Sequence, residues 1–105
     1  MKTIDKTFSK KCRIKIHKIK PFINICRVTG KKEKCNVEVE YCPNFKFIEL
    51  ESFREYFKQE FNEYIEDLCL KVFNQINYLI SPRELKVTVF LIDEKLTPWE
   101  VTIEK

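Results

Sequence analysis

The chain holds five cysteines, one histidine and one glycine, and these few residues bound the chemistry open to it. A thiolate is the strongest side-chain nucleophile near neutral pH and a good ligand for soft metals. Cys12, Cys26, Cys35, Cys42 and Cys69 nowhere form a C-x-x-C pair, so no structural zinc site is expected. A disulfide framework is not expected either in a chain with this much ordinary core. Most of the thiols therefore read as small buried apolar side chains. The stretch NICRVTGKKEKCNVEVEYC, residues 24–42, sets Cys26 apart, because the only glycine follows it by four residues. His17 lies on the basic face of a strand, with no recognisable triad around it.

The elements that must position these residues follow from periodicity. Between Cys12 and Ile19, Ile14 and Ile16 alternate with Arg13, Lys15 and His17, the pattern of a half-buried strand, which Pro21 ends or bends. Cys35, Val37, Val39 and Tyr41 alternate with Asn36, Glu38 and Glu40, predicting a second strand. Residues 27–34 are then a connection turned by Gly30, since glycine accepts positive φ. Glu49 to Lys58 reads as a short helix with Phe53, Tyr56 and Phe57 on its apolar side. Phe61, Ile65, Leu68, Cys69, Val72, Ile76 and Leu79 recur at helical spacing and predict a longer helix, ended by Ser81-Pro82. Glu66 falls on the border of that stripe, where a carboxylate can be half-buried and still reach a pocket; taken alone it reads as an exposed helix carboxylate. Leu85 to Leu91 and Trp99 to Ile103 supply two more alternating strands. The order ββααββ predicts an α+β fold: a four-stranded antiparallel sheet with both helices on one face. Further apolar side chains on the other face suggest an oligomer.

Length and composition agree with one domain over residues 11–105, preceded by a flexible polar terminus over residues 1–10. No apolar run approaches the ~20 residues of a membrane span, and the first ten residues lack the apolar stretch of a signal peptide, so a cytoplasmic protein is expected. The net charge is +4, with the basic residues concentrated between Lys2 and Lys34 and acidic ones between Glu49 and Asp67. A basic N-terminal third suits contact with phosphates, though a solvated strand face would look the same. One glycine leaves no phosphate-cradling loop.

C-R-V-T-G-x-x-E at 26–33, the strand ending in Glu40-Tyr41, E-L-E-S-F-R-E-Y at 49–56, Glu66 and S-P-R at 81–83 together resemble the QueF family over roughly residues 12–93. That family includes NADPH-dependent reductases of 7-cyano-7-deazaguanine and the archaeal QueF-like amidinotransferases. The resemblance implies the tunnelling fold, with subunits closing their sheets into barrel rings, two pentameric rings stacking, and active sites between neighbours. It implies Cys26 as the nucleophile that attacks a nitrile carbon to give a thioimide. It places Glu33 where the family has an aspartate that handles the proton. For substrate it implies Ile48, Glu49 and Leu50, with Ile65 and Glu66 on the second helix; Ile65 stands where reductases usually have histidine. A carboxylate such as Glu66 accepts two hydrogen bonds from the N–H edge of a guanine-like base. For the other four cysteines the apolar reading stands.

The departures from the reductase pattern separate the activities. Reductases carry a lysine-rich segment that helps hold NADPH phosphates, whereas this chain has Glu51 at the first lysine position and Arg54 at the second. A carboxylate beside a phosphate repels it. The resemblance is therefore closest to the QueF-like archaeosine synthase branch. That branch implies an amidinotransferase that converts 7-cyano-7-deazaguanine carried by tRNA to the amidine with ammonia, without cofactor or metal. Two alternatives are an NADPH-dependent nitrile reductase and a non-catalytic RNA-binding ring.

Overall fold

The computed structural model describes residues 1–17, 19–92 and 99–105. Lys18, counted above in the basic third, and the end of the resemblance at residue 93 lie outside the described residues. The elements run β1 (Thr3–Asp5), β2 (Ile14–Ile16), β3 (Phe22–Ile25), β4 (Lys32–Cys42), β5 (Lys46–Ile48), α1 (Leu50–Tyr56), α2 (Ile65–Ile80), β6 (Glu84–Ile92) and β7 (Trp99–Glu104). The α+β class and the antiparallel sheet are as the periodicity predicts. Two helices pack on that sheet.

The main sheet has five strands rather than four, because the first strand is broken in two. β4 pairs on one side with β2 through Ile14↔Tyr41 and then with β3 through Phe22↔Cys35; on its other side lies β6, and β7 follows. The break leaves the ladder opposite Asn36 without strand partners. Asn36 fills it with its side chain: Oδ1 accepts from Ile19 N (3.0 Å), and Nδ2 donates to Ile19 O (2.8 Å). A carboxamide has the same donor and acceptor as a peptide group, so it can stand in for one.

Residues 1–10, expected to be flexible, contain β1, which pairs with β5 from Thr3↔Ile48 to Asp5↔Lys46. Strands of three residues carry too little alternation to be read from sequence.

The inner face of the sheet carries Cys35, Val37, Val39 and Tyr41 from β4 and Leu85, Val87, Val89 and Leu91 from β6, all buried. They meet Phe53 of α1 and Ile65, Leu68, Cys69, Val72, Phe73, Ile76 and Ile80 of α2. Burying side chains of this size contributes about 1.5–3 kcal/mol each. Tyr41 is fully buried and its hydroxyl accepts from Ile48 N at 2.9 Å, which satisfies its polar end.

α2 begins at Ile65, four residues later than the apolar spacing predicts. Phe61 is extended instead: its N–H donates to Ile23 O at 3.0 Å and its carbonyl accepts from Ile25 N at 2.6 Å. Its ring meets Phe22 edge to face at 5.6 Å and lies tilted against Phe57 at 6.0 Å. At the other end Ser81 adopts φ 42 and its N–H closes on Asn77 O, so the helix stops ahead of Pro82, which cannot continue it.

Candidate active site

The corner that holds Cys26 is built by the turn from Cys26 to Lys31. Cys26 N donates to Lys31 O (2.9 Å) and Gly30 N to Cys26 O (2.8 Å), closing β3 onto β4. Gly30 has φ +72, and a Cβ there would meet nothing within 4 Å. The glycine is therefore needed for its backbone angle, not for space.

Cys26 is half-buried and is not part of the hydrophobic core. Its thiol is held below the ordinary value of 9.0, first by a hydrogen bond from the Thr29 hydroxyl, then by the backbone N–H groups of Thr29 and Val28; partial burial and the charge of Glu33 oppose them. The turn thus folds its own N–H groups back on the sulfur, which favours the thiolate. Cys35 differs sharply: burial, then the charge of Glu33, push its thiol up to about 12. Cys69 is pushed up to about 11 by burial, and burial also raises Cys42.

Glu33 is half-buried on β4, opposite Asn24 in the β3–β4 register. Its Oε1 accepts from Asn24 Nδ2 at 3.2 Å. The charge of Glu33 also reaches the Cys26 thiol, where it opposes ionisation.

The start of α2 joins the same corner. Asn24 Nδ2 donates to Glu63 O at 2.9 Å, Asn24 Oδ1 accepts from Glu63 N at 3.0 Å, and Arg27 lies 5.7 Å from the Tyr64 ring centroid. Ile65 is buried in the core, and α2 starts with no side-chain cap. Glu66 is exposed, the default for a helix carboxylate, although it borders the apolar stripe. Helical side chains lean toward the N-terminus, and with α2 starting one residue earlier no preceding turn covers it.

Ile48, Glu49 and Leu50 do not join this corner within one chain. Ile48 is bonded to Tyr41, eight residues along β4 from Glu33, or ~26 Å at strand rise. Ile48 and Leu50 line a groove of about 640 Å³ between β2 and α1, floored by Tyr41 and rimmed by Lys15, His17, Lys20 and Arg54. Glu49 caps α1: Oε1 accepts from Glu51 N (2.9 Å) and Oε2 from Ser52 N (2.7 Å). Those bonds hold its carboxyl below the ordinary value. Arg54 is paired with Glu51 at 2.6 Å.

Thr29 and Asn24 are contributors that the sequence reading passed over. Thr29 lay inside the quoted motif. Asn24 is a polar residue at an inner-face position between Phe22 and Cys26, and that interruption was the available signal. Among the described residues, no group of three His, Cys, Asp or Glu side chains could hold a metal ion, and no helix is long and apolar enough to cross a membrane.

The coordinates define an α+β chain with the fold of the archaeosine synthase QueF-Like, whose apo crystal structure superposes with a TM-score of 0.72 at 22% identity, covering 90% of this chain and 91% of that one. In sequence, the chain is 29% identical over 68 residues to the NADPH-dependent 7-cyano-7-deazaguanine reductase of Chlorobium chlorochromatii (strain CaD3); the match covers 63% of this chain and 59% of the reductase. No family model matches. The two comparisons, one of coordinates and one of sequence, both bear out the resemblance to the QueF family.

Proposed function

We infer that the chain is a QueF-like amidinotransferase that acts on the nitrile of 7-cyano-7-deazaguanine in tRNA, with Cys26 as nucleophile and Glu33 as acid and base. The observation that carries this is the Cys26 turn: a thiol outside the core, set below its ordinary value by the Thr29 hydroxyl and two N–H groups of the turn, with the charge of Glu33 reaching it. Glu33 takes the thiol proton, and the thiolate forms a C–S bond to the nitrile carbon. One C≡N bonding pair moves to nitrogen, which receives the proton from Glu33. Ammonia adds to the thioimide carbon, and the C–S bond breaks. The sulfur leaves with its electron pair, and the proton lost by nitrogen returns through Glu33.

Glu66, exposed at the start of α2, is the proposed acceptor for the N–H edge of the base, with Ile65 behind it. Ile48, Glu49 and Leu50 would come from a neighbouring subunit, because their groove and the Cys26 corner lie at opposite ends of β4. That separation supports sites shared between subunits; a closed ring, with two pentamers stacked, and a cytoplasmic setting complete the proposal. The Cys26 turn carries Arg27 and Lys31, both exposed, which suits a polyanionic substrate.

The reductase reading is favoured by the 29% match to a reductase. Against it stands Arg54, whose guanidinium already has a carboxylate partner in Glu51 and so presents little charge to a nucleotide phosphate. Intact-mass spectrometry after incubation with 7-cyano-7-deazaguanine tests the nucleophile: a gain equal to the base, absent in Cys26→Ala, is expected. Product analysis with ammonium and tRNA carrying the cyano base should show the amidine, while NADPH oxidation with the free base should not occur. An unmodified wild-type chain would sink the enzymatic reading and leave the RNA-binding ring.

A further inference from the structure

Asn24 occupies a position where the inner face of the sheet would otherwise carry an apolar side chain. Phe22, two residues before it, and Cys35, which pairs with Phe22 across the β3–β4 ladder, are both core residues. Its carboxamide is 0% exposed, and a buried amide is tolerated only when its polar atoms are satisfied. Two of its bonds, to Glu63 O (2.9 Å) and from Glu63 N (3.0 Å), continue the ladder that Phe61 makes with Ile23 and Ile25. Those two bonds fix which way the amide faces, because turning it over would set donor against donor and acceptor against acceptor. The second Nδ2 hydrogen then has one direction left, and Glu33 Oε1 lies there at 3.2 Å.

We propose that Asn24 is the positioning residue of the site, holding the Glu33 carboxylate through Oε1 so that Oε2 faces the chemistry, while tethering the start of α2 to the strand that carries Cys26. This rests on the reading of Cys26 and Glu33 given above. A glutamate has one more rotatable bond than an aspartate and loses more freedom when fixed. A rigid donor at Oε1 restores the definition that the longer side chain would forfeit. The charge of Glu33 acts on the thiols of Cys26 in the turn and Cys35 on β4, and Glu63, whose backbone meets Asn24, pairs its own carboxylate with Lys71 at 3.5 Å.

The test reads Glu33 through Cys26 and needs no substrate. Alkylation of Cys26 by iodoacetamide in the full chain is followed against pH by peptide mass spectrometry. Glu33→Gln removes a negative neighbour and should speed alkylation at pH 7 about twofold. In the Asn24→Ala background the same substitution should give less than half of that acceleration, because an untethered Glu33 no longer dwells beside the sulfur. Asn24→Asp keeps the shape and the bond from Glu63 N–H but takes the donor away; it should behave like the alanine variant, and it carries the test should that variant not fold. Equal acceleration in all backgrounds would overturn the proposal, since a purely structural asparagine lowers the melting temperature without touching the coupling. A missing nitrile adduct would refute the function and leave this result readable.

Discussion

Gly30→Ala isolates what the turn's backbone contributes. At φ +72 an alanine side chain meets no atom within 4 Å, so the change adds no clash. The cost is the left-handed conformation itself, about 1–2 kcal/mol for a residue with a Cβ, less about 0.4–1 kcal/mol from a stiffer unfolded chain. The net loss is about 1 kcal/mol. At 105 residues the unfolding entropy is about 0.2 kcal/mol per kelvin, so the melting temperature should fall by about 4–5 °C. Gly30→Asn, which tolerates this region far better, should recover most of the loss. Melts must be run at one protein concentration, because the proposed assembly would shift them. The same strain has a chemical readout. Relaxing it breaks the Gly30 N–H bond to Cys26 O and disturbs the N–H groups of Val28 and Thr29 that lower the Cys26 thiol. Alkylation of Cys26 at pH 7 should therefore slow in the alanine variant and recover with asparagine. An alanine variant that melts with wild type, or an asparagine variant as unstable as the alanine one, would refute this account of the glycine.

Two further outcomes follow from the core. Cys35 has its folded value raised from 9.0 to about 12, so the folded state holds its proton more tightly; the resulting stability is complete below pH 9 and drains away as pH climbs toward 12. Chemical denaturation at pH 8 and pH 11 should show that loss, and Cys35→Ala, though less stable at pH 8, should show a smaller one. Tyr41→Phe removes the acceptor for Ile48 N–H and should cost about 1–3 kcal/mol, since it strands a buried donor; an unchanged denaturation midpoint would show that the bond does not hold the β5 end of the groove.

β4, β6, β7 and α2 were legible in the sequence because each is long enough for its period to dominate: Val37-Glu38-Val39-Glu40 can hardly be anything but a half-buried strand. β3 was not. It has four residues, and the one that should mark its inner face is Asn24, polar because it binds backbone and a carboxylate rather than packing. Phe61 misled in the opposite way, standing four residues before Ile65 at helical spacing while its backbone bonds to β3. Periodicity records which side chains are buried, not which backbone buries them. Cys26, Gly30 and Glu33 were singled out through the resemblance to a family motif, whereas Thr29 and Asn24 touch that corner through bonds that the motif does not mark. For Glu66 the border of the stripe left burial open, because a helical wheel has no ends and exposure depends on where α2 begins.

The distance along β4 between the thiol corner and the Ile48–Leu50 groove has a genetic corollary. Each polypeptide would own the reactive half of one pocket and the recognition wall of another. Two inactive alleles, one damaged at each end of the strand, would then restore function when co-expressed, wherever an intact half of one product abuts an intact half of the other.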